Sequence, residues 1–362
     1  MKKIRVVVVD DSALVRNLLA EIINRQVDME CVGAANDPLI AREMIRELNP
    51  DVITLDIEMP KMDGLEFLGR LMRLRPMPVV MISTLTERGA EVTMRALELG
   101  AVDFVAKPRI GLADGIKELT MHIVEKIRIA AAVHIKRNVA PGVTMHSSHS
   151  AGSVTTRYAQ SLGRVSTEKL VCIGASTGGT EAIKEILMRM PADAPGIVIT
   201  QHMPAGFTTS FAARLDGLCR ITVREAINGE RILPGHAYIA PGGKQFSVNK
   251  SGANYVCVVS DGELVNRHKP SVEVLFLSVA QYVGRNAFGI MLTGMGNDGA
   301  RAMKEMRDAG SYNFVQDEAS CIVFGMPREA ILQGAANEVL SLVDIPGALL
   351  AHMGGSADRY RV

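Results

Sequence analysis

Three side chains in the second half of the chain are of the types that acyl transfer needs. Ser176 lies in Gly174-Ala175-Ser176-Thr177-Gly178-Gly179, just after the apolar run Leu170-Val171-Cys172-Ile173. This G-x-S-x-G pattern presents a serine hydroxyl on a sharp strand-to-helix turn beside a helix amino terminus. His202 follows the next apolar run, 196–200, within Gln201-His202-Met203-Pro204. Asp298 lies in Gly294-Met295-Gly296-Asn297-Asp298-Gly299, after the run 289–293. Each follows a strand pattern at its carboxyl end, so all three can reach one rim of a parallel sheet. Nucleophile, general base and orienting acid are the set required to attack a carbonyl. The order Ser, His, Asp differs from the Ser, Asp, His order of α/β-hydrolases, so a simple assignment to that fold fails.

Other readings of these residues are weaker. His268, in Asn266-Arg267-His268-Lys269-Pro270-Ser271, and His236, in a Pro-Gly-His turn, compete as base. The first belongs to a polar cluster suited to lining a substrate cleft. His122, His134, His146, His149 and His352 sit in helical or linker surroundings. Metal hydrolysis fails on spacing, because H-E-x-x-H is absent and Cys172, Cys219 and Cys257 are dispersed. The glycine turn would also suit the pyrophosphate of a dinucleotide. G-x-G-x-x-G is missing, however, and Gln201-His202 stands where an acidic ribose partner would be.

The first half carries a different set. Asp10-Asp11 ends one apolar run and Asp56 another, Ser83-Thr84 ends a third, and Lys107 follows a fourth. Carboxylates converging on the carboxyl edge of a sheet repel one another, and a divalent cation compensates. Oxygen ligands in an incomplete cage suit Mg²⁺ together with a phosphate. Ser83 can donate a hydroxyl hydrogen bond, and Lys107 can neutralise phosphate charge.

These residues require two alternating strand–helix units. Strands are expected at 4–9, 52–55, 79–82 and 104–106, then at 170–174, 196–200, 237–239, 255–260 and 289–293. Helices are expected over 180–190 and 300–309. Such alternation implies parallel sheets with right-handed crossovers. Between the units, residues 126–167 contain no acid, and 138–163 are rich in Ser, Thr, Gly and His without a clear period. This stretch reads as a tether, made basic by Lys136, Arg137, Arg157 and Arg164. Its charge also suits docking to an acidic surface.

Composition narrows the function further. The 362 residues amount to about 2.4 domain equivalents. With 40 basic and 39 acidic residues, the net charge of +1 disfavours a general nucleic-acid binder or a polybasic membrane protein. Aromatics are 4% with no Trp, so base-stacking platforms are not expected, and no basic helix-turn-helix stands out. No apolar run reaches the roughly 20 residues of a membrane helix. Asp10-Asp11 interrupts the apolar stretch that would otherwise imitate an export signal. The scattered cysteines suit a reduced, cytoplasmic compartment.

The first half resembles a response-regulator receiver domain. The resemblance rests on Val8–Ser12, Leu55–Pro60 with Met62-Asp63-Gly64, and Ala106-Lys107-Pro108. It implies phosphoryl transfer from a chemotaxis histidine kinase to Asp56. It also implies Mg²⁺ framed by Asp10, Asp11, Asp56 and the Glu58 carbonyl, phosphoryl contacts from Ser83 and Lys107, and a switch aromatic at Phe104. The second half resembles the catalytic domain of the CheB protein-glutamate methylesterases. That resemblance rests on Gly174–Gly179, Gln201–Pro204, Asn266–Ser271, Leu292–Gly299 and Phe324–Ala330. It implies hydrolysis of glutamate methyl esters, and deamidation of glutamines, on chemoreceptor cytoplasmic domains. Ser176, His202 and Asp298 would form the triad, with amides of Thr177 and Met295 receiving the oxyanion, and no cofactor in this half. The architecture implied is α/β throughout. A flavodoxin-like (βα)5 receiver at 4–122 joins, through a linker at 126–165, a doubly wound, mostly parallel methylesterase domain at 166–356. A dinucleotide-dependent oxidoreductase and a non-enzymatic receiver-linked binding module are the competing classes.

Overall fold

β-branched runs and amphipathic segments alternate through the first half, and each takes up the element its period requires. The computed structural model describes residues 2–59, 63–83, 86–107, 113–133 and 169–354. β1 (Ile4–Val9), α1 (Ala13–Asn24), β2 (Met29–Ala35), α2 (Pro38–Leu48) and β3 (Val52–Asp56) come first. α3 (Gly64–Leu74), β4 (Val79–Ser83), α4 (Glu87–Glu98), β5 (Asp103–Ala106) and α5 (Ala113–Ala132) complete the unit. The strands form a parallel sheet in the order β2-β1-β3-β4-β5. Val7 and Val9 pack on one face with Ile53 and Leu55, while Val6 and Val8 pack on the other with Leu19, Ile23 and Ile127. Burial of both faces explains why these strands read as continuous apolar runs. Side chains of Ser12, Asp37 and Asp63 cap α1, α2 and α3 by accepting amide hydrogen bonds.

Two differences from the sequence reading appear here. β2 was not anticipated, because Met-Glu-Cys-Val-Gly-Ala-Ala neither alternates nor forms a β-branched run, and it is an edge strand. α5 continues to Ala132, past the receiver boundary placed at 122 and the linker start placed at 126. Ile123, Val124, Ile127, Ile129 and Ala130 are buried there, so these turns belong to the receiver core. The basic tether residues Lys136, Arg137, Arg157 and Arg164 lie outside the described residues.

The second half forms a larger parallel sheet. β6 (Leu170–Ala175), α6 (Gly179–Leu187), β7 (Gly196–Gln201), α7 (Phe207–Asp216), β8 (Thr222–Glu225) and β9 (His236–Ile239) lead to a hairpin, β10 (Gln245–Ser251) and β11 (Asn254–Ser260). α8 (Val272–Tyr282), β12 (Ala287–Met291), α9 (Ala300–Asp308), β13 (Tyr312–Gln316), α10 (Met326–Leu332), β14 (Glu338–Leu340) and α11 (Ile345–Gly354) follow. The strand order is β14-β13-β12-β6-β7-β9-β8. β6 connects through α6 to β7 on one side and is flanked by β12 on the other. That reversal opens a crevice at the carboxyl ends, where ligands of such sheets bind.

The two units share an apolar core. Phe104 of β5 lies against Phe207 of α7 with ring centroids 4.6 Å apart. Glu98, at the end of α4, pairs with Lys184 of α6 at 3.5 Å and with Arg214 of α7.

Candidate active site and phosphoacceptor pocket

The turn after β6 holds Ser176 by its main chain. Ser176 N donates to Thr293 O at 3.0 Å, while its carbonyl accepts from Gly179 N at 2.7 Å and from Gln201 Nε2 at 2.9 Å. Gly178 takes φ +79°, which a side chain would disfavour. A Cβ on Gly294 would stand 2.8 Å from Ser176 Cβ, so the neighbouring loop must be glycine to pass so close. The Ser176 side chain is left 7% exposed on a cavity of about 360 Å³.

His202 lies on the rim beyond β7. Its Nε2 is 2.8 Å from Asp298 Oδ2, whereas Nδ1 is buried without a hydrogen-bond partner. An ionised carboxylate only accepts, so Nε2 carries the proton and Nδ1 keeps the lone pair. Ser176 and His202 line the same cavity and are not hydrogen-bonded to each other in this structure. The Thr177 and Met295 amides, from two different loops, lack protein acceptors among the described residues and border the same turn.

Asp298 is 1% exposed, yet it is surrounded by donors. Oδ1 accepts from Asn266 Nδ2 at 2.8 Å and Ser271 Oγ at 2.7 Å, and Oδ2 accepts from Val272 N at 2.7 Å. It thereby caps α8 from outside the helix, and Ser271, in the N-cap position, makes no side-chain cap of its own. Burial works to raise the Asp298 pKa. The His202 contact and the bonds from Asn266 and Ser271 outweigh it and hold the carboxyl well below its usual range.

The receiver forms the other wall of this cavity. Asp103, Phe104, His122 and Lys126 line it opposite Ser176, His202 and Met295. Thr177 Oγ1 hydrogen-bonds the Asp103 carboxylate, and Lys126 Nζ lies 3.1 Å from the same hydroxyl. The residue next to Ser176 is thus held by the receiver.

On the receiver's own rim, ligand oxygens of Asp10, Asp11 and Asp56 lie within 4.8 Å of one another. Asp10 and Asp56 are buried and Asp11 is exposed. Lys107 Nζ sits 2.7 Å from Asp56 and 2.9 Å from Asp10. Burial, reinforced by the Asp10 charge, pushes Asp56 up to about 6 despite the bond from Lys107. An excess of carboxylate over cation, open on the Asp11 side, fits a hard divalent ion. Glu58 is exposed on the loop after β3. The Ser83 hydroxyl donates to Gly89 O at 3.2 Å and accepts from Thr93 Oγ1 at 2.7 Å, which engages it with α4.

A family model for CheB methylesterase matches residues 171–349, and one for the response regulator receiver domain matches 6–117. A protein of Albidiferax ferrireducens named protein-glutamate methylesterase/protein-glutamine glutaminase 1 is 77% identical across 100% of this chain and 97% of its own. The chain belongs to the CheB methylesterase family. Another such relative, from Methylobacillus flagellatus, is 59% identical over 98% of each chain. The crystal structure of the Thermotoga maritima CheB methylesterase catalytic domain covers 51% of this chain and 98% of its own, at 34% identity and a TM-score of 0.50.

Ser176, His202 and Asp298 gather at the carboxyl edge of the second sheet, as do Asp10, Asp11, Asp56 and Lys107 at that of the first. Sequence reasoning missed Gln201, which braces the Ser176 carbonyl, and Asp103 and Lys126, which bridge the domains. A buried Gln at the end of a strand and a charge pair 23 residues apart on successive elements give no local signal. Asn266 and Ser271 did have one, in the polar run around His268. No described helix is long and apolar enough to cross a membrane.

Proposed function

We propose that this chain is a phosphorylation-controlled methylesterase and deamidase that acts on glutamate methyl esters and glutamines of chemoreceptor cytoplasmic helices. Ser176 is the nucleophile, His202 the base and Asp298 its orienting partner. The observation that carries the reading is the buried His202–Asp298 bond, which leaves Nδ1 without a hydrogen-bond partner in a histidine that lines the same cavity as Ser176. As Ser176 Oγ attacks the side-chain carbonyl, its proton passes to His202 Nδ1, and Asp298 stabilises the imidazolium. The Thr177 and Met295 amides receive the oxyanion. The proton then leaves with methanol or ammonia, and water returns Ser176 with release of glutamate. Methanol release from methylated receptor tests this, and Ser176→Ala must abolish it. Full activity in that variant sinks the reading.

Control follows from the shared cavity. The unphosphorylated receiver covers Ser176, and phosphorylation of Asp56 by a chemotaxis histidine kinase shifts the interface equilibrium. Asp10, Asp11, Asp56 and the Glu58 carbonyl would hold Mg²⁺, whose charge neutralises the transferring phosphoryl group. Asp56 supplies the attacking carboxylate, and Lys107 pairs with the phosphoryl charge. Ser83 reaches that group only by leaving its α4 partners. The whole operates in the cytoplasm. A 165–362 fragment no faster than the intact chain would contradict simple occlusion.

A further inference from the structure

The loop Asn266–Ser271 is the polar run that the reaction above leaves without a role. It meets the site at two points. Asn266 and Ser271 grip Asp298 Oδ1. His268 lies flat on His202, with ring centroids 3.7 Å apart and planes 12° from parallel. The loop is itself tied down. Val265 and His268 exchange main-chain hydrogen bonds of 3.1 and 2.8 Å. The buried Gln245 donates to His268 O at 3.1 Å and accepts from Ser271 N at 3.0 Å. Asn266 and Arg267 adopt φ of 51° and 67°, a left-handed turn that carries the His268 ring over His202.

We infer that this loop is a positioning clamp for the histidine–aspartate pair, and that the His268 ring fixes the plane of His202. The inference rests on the triad reading above. A single hydrogen bond at Nε2 leaves the imidazole free to tip about its broad sp³–sp² torsion. Tipping would swing Nδ1 away from the serine while Nε2 stayed near Asp298. A second flat ring in van der Waals contact blocks that motion. His268 acts through its face, so its nitrogens are not required. The charged and titratable groups facing it are His202, Asp298 and, from α5, Lys126 and His122. Burial first, then the His202 charge, pushes its pKa far down, so it remains neutral and adds no second cation beside the base.

The test uses the full chain, activated with a small acyl phosphate and assayed for methanol release from methylated receptor. His268→Ala is expected to lower kcat roughly 10- to 100-fold, with KM changed by less than about threefold. His268→Phe, which keeps the flat face and no ring nitrogen, should return kcat to within about threefold of the parent. His268→Leu fills the space without a flat face and replaces the alanine variant if that protein does not fold. An alanine or leucine variant with parental kcat overturns the clamp. So does a folded His268→Phe as inactive as His268→Ala, which would make His268 a proton-transfer group. Labelling of Ser176 by a serine-directed phosphonate separates the two layers. If the parent is not labelled and Ser176→Ala retains turnover, the triad reading fails, and the clamp fails with it. If the parent is labelled and Ser176→Ala is inactive, the 268 series alone decides the clamp.

Discussion

Replacing Asp298 with Asn changes one atom at the most heavily bonded side chain of the site. Each carboxylate oxygen accepts at least two hydrogen bonds: Asn266 and Ser271 on Oδ1, His202 and Val272 N on Oδ2. An amide has one acceptor end, so either orientation sets donor against donor. With the amide nitrogen in the Oδ2 position, His202 can pair only by accepting at Nε2. Its proton then moves to Nδ1, and the base is lost. With the nitrogen in the Oδ1 position, Asn266 loses its acceptor and the loop is released. Changing an orienting aspartate to Asn costs about 10⁴ in kcat where a triad depends on it, or about 5 kcal/mol of barrier. Loss of charge-assisted bonds at a buried site should lower folding stability by about 2–4 kcal/mol. There is also a pH signature. Because the folded pKa of Asp298 is depressed, its stabilisation is complete above the unfolded value of about 3.9 and lost as pH falls through the folded value. The variant should lack that part of the acid sensitivity. Methanol release and denaturant unfolding between acid and neutral pH measure both effects. A folded Asp298→Asn protein with kcat within about threefold of the parent would refute the assignment of Asp298.

Glu98→Lys replaces two interface ion pairs, to Lys184 and Arg214, with repulsion. The unphosphorylated esterase rate should rise about tenfold, and an unchanged rate would show that these pairs do not hold the receiver closed. Gly294→Ala places a Cβ 2.8 Å from Ser176 Cβ and 2.5 Å from Met326 Sδ. Turnover should fall at least about tenfold while the receiver remains phosphorylatable, as a phosphoprotein assay would report. Mg²⁺ should raise the thermal midpoint of the parent and do so much less in Asp11→Asn, measured by scanning calorimetry. Equal shifts would exclude Asp11 as a ligand.

Much of this site was legible in one dimension because its chemistry follows strand ends. A buried parallel strand announces itself as an apolar run, and the residue after it must emerge at the carboxyl edge of the sheet. Ser176, His202 and Asp298, like Asp10, Asp56 and Lys107, were therefore located by pattern before any coordinates. The end of α5 was misjudged because the loss of acids, which marks a tether, begins in helix turns that bury Ile127 and Ala130. What tertiary structure alone decided depends on how remote segments pack. Packing determined that His202 turns Nε2 to Asp298 and leaves Nδ1 free. It seated Asp298 on the amides of α8, stacked His268 on the base, and turned Ser83 toward Thr93. It also brought Asp103 and Lys126 of the receiver to the hydroxyl next to the nucleophile. No local period encodes a ring orientation or a contact across a domain interface. Both arise from steric and electrostatic fit between surfaces that meet only after each sheet has formed.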